Sequence, residues 1–146
     1  MKLMSMKVAA AALSLAFAGP LVAADSKDAT KADRERIEQE AKAAKDKCKS
    51  LKSNAKDICM AEARGKEKVA KAELAARQKD TPKNRYDVAA AKADMEYNIA
   101  KEKCDDMKGD EKDACQKAAK SARDGAKKQA KSERESAEGK KERKAS

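Results

Sequence analysis

The sequence predicts an all-α protein built from two disulfide-stapled antiparallel helical hairpins. Three observations lead there. Cys48 and Cys59 are separated by ten residues, as are Cys104 and Cys115, and the two enclosed segments align without a gap as an internal repeat. Ahead of each first cysteine, small and apolar residues recur in alternating steps of four and three, the seam of one helix packed along another. The composition is 42% charged and 2% aromatic, and rich in Ala, Lys, Glu and Arg. Those residues are good helix formers, but they leave too few large apolar groups for a substantial core. The expected object is elongated and thin-cored, either coiled-coil-like or a thin four-helix bundle, with a disordered basic tail.

Residues 1–24 read as a signal peptide. Lys2 and Lys7 form a positive leader, residues 8–18 a short apolar run, and Gly19-Pro20 a break. Val22-Ala23-Ala24 then supplies the compact residues that signal peptidase needs. The run is well short of the ~20 residues of a membrane span, and no Cys follows it to form a lipobox. The expected mature chain begins near Asp25, has no transmembrane span, and is periplasmic or secreted. In an oxidising compartment an even number of cysteines reads as disulfides. Four cysteines admit three pairings; the repeat favours the local pairs Cys48–Cys59 and Cys104–Cys115.

The first hairpin is expected over 25–80. Its seam is Ile37, Ala41, Ala44, Cys48 and Leu51, and Ser53, Asn54 and Asp57 follow at the turn. Reflecting the chain about the turn sets Ile37 against Ala70 and Ala44 against Ala63, with one mismatch, Ala41 against Lys66. A linker is expected at 81–84. There Thr81 caps a helix and Pro82 fits its first turn, so that Lys83 or Asn84 opens the third helix. The second hairpin, 85–130, carries the seam Tyr86, Ala90, Ala93, Tyr97, Ala100, Cys104 and Met107. Gly109 suits the left-handed residue that ends a helix, Asp110 an N-cap, and Asp113 the first turn that follows. Reflection sets Tyr97 against Ala122 and Ala93 against Ala126. Val88, Met95 and Ile99 form a second apolar face on the third helix, expected to dock the first hairpin or a partner. Beyond Gly125 the periodicity fades, so a frayed helix is expected to run into a basic low-complexity tail at 131–146. The seams close either within the chain or between chains.

Catalytic chemistry is missing. With no His in the chain, Ser-His-Asp and Cys-His pairs are excluded, as is haem attachment. The ten-residue cysteine spacing does not match zinc pairs or a C-x-x-C redox motif. Met60, Met95 and Met107 are scattered, no phosphate-binding loop occurs, and acids alternate with bases as on solvated helix faces. The expectation is a protein that is not an enzyme, with no cofactor, no metal and no small-molecule substrate.

Charge points to partners. The net charge is +10, or +8 without Lys2 and Lys7. From Lys120 onward ten Lys or Arg face five Asp or Glu, a footprint for an anionic partner. The favoured expectation is a periplasmic interaction or scaffold protein that contacts anionic envelope material, or an envelope protein, through its tail. The alternative is a periplasmic stress protein or chaperone binding unfolded clients through Val88, Met95 and Ile99. Specific nucleic-acid binding is not expected, because stacking aromatics are scarce.

Two resemblances accompany these readings. The stapled-hairpin plan resembles the twin CX9C proteins of the mitochondrial intermembrane space, which have a nine-residue spacing and one more disulfide per hairpin. The segment from Ala44-Lys45-Asp46-Lys47-Cys48 through Asn54-Ala55-Lys56-Asp57 and Cys59 to Ala61-Glu62-Ala63-Arg64 is similar to exported Ala/Lys-rich proteins of proteobacteria. Those are sometimes named after TolA, an envelope protein with a long Ala/Lys-rich helical segment. This resemblance spans most of the mature chain and implies an exported protein; it implies no activity and no site residues.

Overall fold

The computed structural model describes residues 26–145; the leader expected at 1–24 lies outside the described residues. Among the described residues four helices follow one another: α1 (Ser26–Cys48), α2 (Ser53–Gln78), α3 (Pro82–Cys104) and α4 (Gly109–Ala145). Cys48 is bonded to Cys59 and Cys104 to Cys115, with Cα atoms 5.5 and 5.7 Å apart. Each hairpin is therefore stapled beside its turn. The first cysteine of each pair is the most deeply enclosed side chain of its hairpin, with Cys48 1% and Cys104 0% exposed.

The two stapled turns, 49–52 and 105–108, share a backbone path. Leu51 N donates to Cys48 O and Met107 N to Cys104 O, at 3.1 and 3.0 Å. Five residues after each first cysteine the chain enters the left-handed region, at Ser53 (φ 50°) and Gly109 (φ 54°). Both open the following helix rather than close the preceding one. The left-handed residue expected at Gly109 is present, and its counterpart is a serine.

The third connection, 79–81, is tighter than the linker expected at 81–84. Thr81 Oγ1 accepts from Asn84 N at 3.0 Å and Pro82 occupies the first helical turn, so α3 opens at Pro82 rather than at Lys83 or Asn84. Proline suits that place because its missing N–H has no intrahelical acceptor there. Asn84 reaches back with Nδ2 to the carbonyls of Ala75 and Lys79, satisfying the end of α2.

The seams close within the chain, and they close in a row. α1 packs on α2, α2 on α3 and α3 on α4, each pair antiparallel; among the described residues no other pair of helices touches. Hairpin one buries Ile37 and Ala41 against α2, where Ala63 is buried in turn. Between the hairpins, Gly65 of α2 lies beneath Met95 of α3 so closely that a Cβ there would stand 2.8 Å from Met95 Cβ. Asn54 Nδ2 also donates to Glu102 O at 2.7 Å, tying the two stapled turns side by side.

The segment expected to fray at 127–146 is helical as far as Ala145. Its residues are strong helix formers. The i,i+4 pairs Lys131–Glu135 and Arg134–Glu138 bind successive turns, and Ala130 is buried against α3.

Candidate interaction surfaces

α4 shows where the basic residues go. Reflection about the second turn set Tyr97 against Ala122 and Ala93 against Ala126, yet both of those alanines are exposed. The heights agree to within a residue, but the face is different. Arg123 lays its guanidinium over the Tyr97 ring, 4.3 Å from the centroid, and Arg134 does the same over Tyr86 at 5.1 Å. Lys127 Nζ meets Asp94 Oδ1 at 2.7 Å. A guanidinium over an aromatic face is attracted by the ring quadrupole, and its stem covers apolar surface. Three of the ten cations from Lys120 onward are therefore turned onto α3. Arg134 Nε is enclosed there without a hydrogen-bond acceptor, and Glu138 Oε1 stands 3.7 Å away.

Six further cations face solvent. Lys120, Lys128, Lys131, Lys140, Lys141 and Arg143 are exposed, with the acids Asp124, Glu133, Glu135 and Glu138 interspersed. The far end of α4 also outruns its neighbour. Ala137 lies beside Pro82, the first residue of α3, and α4 continues for about two more turns. That overhang carries Lys140, Lys141 and Arg143.

The apolar face of α3 is partly covered by α2. Met95 sits over Gly65, and Val88 borders a groove with Glu73, Ala76 and Arg77 of α2. Val88, Met95 and Ile99 are all half-buried. Gly65 escaped the sequence reading, although an isolated glycine inside a helical stretch signals close packing.

Hairpin one is laced by an ionic chain that spacing alone does not show. Glu67 accepts from Lys45 Nζ at 2.5 Å across the α1–α2 seam and from Lys71 Nζ at 2.7 Å. Lys71 also stands 3.5 Å from Glu38 of α1. The hydrogen bonds from Lys45 and then Lys71 hold the Glu67 carboxyl well below the usual range, at about 2. In hairpin two, Asp105 is lowered by Lys112, which meets it at 2.9 Å on the exposed turn.

The stapled end carries exposed apolar side chains. Leu51 and Met107, each three residues after a first cysteine, are 41% and 42% exposed and are the exposed large hydrophobics among the described residues. The four-and-three spacing extends each seam to these residues, but each lies beyond its helix, on the turn.

Among the described residues no group of three or more Cys, Asp or Glu side chains is arranged to hold a metal ion. Nor is any described helix long and apolar enough to cross a membrane. No protein-family model, curated protein or solved structure matches the chain.

Proposed function

We propose that the chain is a non-enzymatic scaffold of the periplasm or cell exterior, in which a stapled row of helices holds the basic end of α4 against anionic envelope material. The observation that carries this reading is the overhang of α4. Lys140, Lys141 and Arg143 are exposed on helix that runs past the end of α3. Exposed cations without an in-chain acid partner among the described residues keep their attraction for a polyanion such as lipopolysaccharide, an acidic lipid surface or peptidoglycan carboxylates. The leader-like residues 1–24 and the two disulfides support an exported, oxidising setting. The exported Ala/Lys-rich proteins that the chain resembles fit the same setting.

The client-binding alternative loses ground because Met95, at the centre of the face it needs, packs on Gly65 of α2. The test is co-sedimentation of the oxidised protein with purified envelope fractions across a salt series. Binding to an anionic fraction, weakened by salt and by K140S/K141S/R143S, is the expected result. Absence of binding, or binding indifferent to the triple substitution, overturns it.

A further inference from the structure

The two stapled turns share a backbone path and differ in charge. Between Cys48 and Cys59 lie Lys49, Lys52, Lys56 and a single acid, Asp57. Between Cys104 and Cys115 lie five acids and two lysines. One turn is therefore net positive by two, and the other net negative by three.

The turns sit side by side, tied by Asn54 and Glu102, yet among the described residues no ion pair joins one to the other. Lys52 and Lys56 on one side, and Asp106 and Asp110 on the other, are exposed and without an ion pair among the described residues. Lys56 also occupies the first turn of α2, which holds no acid, where the helix dipole disfavours a cation. Local rules broken in this way tend to mark function. Each turn additionally exposes one large apolar side chain, Leu51 or Met107.

We propose that this end is a self-association surface whose occupant is a second copy of the chain, docked end to end about a two-fold axis. A surface that is positive on one half and negative on the other is complementary to itself after a half-turn. The lysine turn of each copy then meets the acidic turn of its partner, twice. The same rotation brings Leu51 of one copy toward Met107 of the other and removes both from water. The contact is small, so the association is weak, and its exposed charges make it salt-sensitive. In such a dimer the α4 overhangs lie at the two far ends. Self-association does not depend on the anionic-surface reading, but that outcome would make the dimer bivalent toward such a surface.

The test is sedimentation equilibrium of the oxidised full chain with complementary charge reversals. For the parent, weight-average mass is expected to rise with concentration toward twice that of the chain at low salt, and to fall back in high salt. K52E/K56E and D106K/D110K each place like charges on both halves of a self-dimer. Each is expected to lower the association constant by about tenfold or more. Mixed one to one, the variants again pair opposite charges and should recover association as a heterodimer. Circular dichroism of each variant establishes that it is folded. The proposal is overturned if the parent stays monomeric, if either variant alone associates like the parent, or if folded variants fail to associate on mixing. Dimerisation unaffected by salt and by L51S/M107S overturns it as well.

Discussion

Hairpin one and hairpin two share a staple at the same distance from the same turn, but they close over different chemistry. In hairpin one the seam is aliphatic and ionic: Ile37, Ala41 and Ala63 are buried, and Lys45, Glu67 and Lys71 lace the helices. In hairpin two it is mainly aromatic and guanidinium: Arg123 covers Tyr97 and Arg134 covers Tyr86, with a single carboxylate bridge across the helices, Lys127–Asp94, among the described residues, and small Ala93 and Ala130 are buried. The covalent frame thus brings two helices together without dictating what fills the space. The filling decides how each half responds to its surroundings. A carboxylate bridge is sensitive to acid, whereas arginine over tyrosine keeps its charge state throughout the acid range.

The largest expected effect comes from removing the staples one at a time. Each closes a short loop and stabilises by roughly 3 kcal/mol in the chain-entropy model. C48S/C59S and C104S/C115S, compared by thermal circular dichroism, should both melt well below the parent. Equal losses would mean that the staples outweigh the seams; an unchanged melting curve in either variant would contradict the role given to its disulfide. Next comes the joint between the hairpins. G65A forces Met95 aside and should destabilise by about 1–3 kcal/mol, as overpacking does. M95A in the same chain should recover part of that loss, and a double-mutant cycle without coupling would show that the hairpins do not meet at this point.

Acid distinguishes the two seams more gently. Glu67 has a folded-state pKa lowered to about 2, with Lys45 the leading cause. Its contribution is fully present above the ordinary carboxylate range and disappears as pH falls toward 2. Tyr86 and Tyr97, the aromatic residues of the described chain, both lie in α3 and report on hairpin two. On acidification, helicity should decline before the tyrosine signal changes, and E67Q should flatten that early decline. Simultaneous loss of both signals, unaltered by E67Q, would contradict the contrast. The smallest effect concerns the turns. Ser53 holds a left-handed conformation that Gly109 adopts without strain. S53G should stabilise by about 0.5–1 kcal/mol and G109S destabilise by a similar amount, both read from denaturant midpoints.

The staples, the hairpins and the left-handed Gly109 were legible because each leaves a local mark: a spacing, a period, a residue type. The face of α4 was not. Alanine is so abundant that reflection about a turn finds small residues on almost any side, and Ala122 and Ala126 matched by chance. Hydropathy counts arginine as polar, so it misses a seam in which the arginine stem and guanidinium are themselves the packing. With Arg123 and Arg134 admitted to the pattern, α4 keeps a helical period past Gly125, where apolar residues alone lose it. The same blindness made the tail a larger charged footprint than it is. The open row was illegible for another reason. A seam identifies that a helix has a neighbour, and says nothing about whether the first and last helices meet.

The row has a consequence for how the chain reaches its fold. Among the described residues every contact between helices joins elements adjacent in sequence, so none of these helices must find a distant partner before its neighbours are in place. Such low contact order belongs to rapidly folding chains. As in linear repeat proteins, stability then approximates a sum of nearest-neighbour terms, and opening begins at the terminal helices. Among the described residues α1 and α4 each have one neighbour where α2 and α3 have two. Backbone amides of the central pair should therefore exchange with solvent last, and those of the outer pair first.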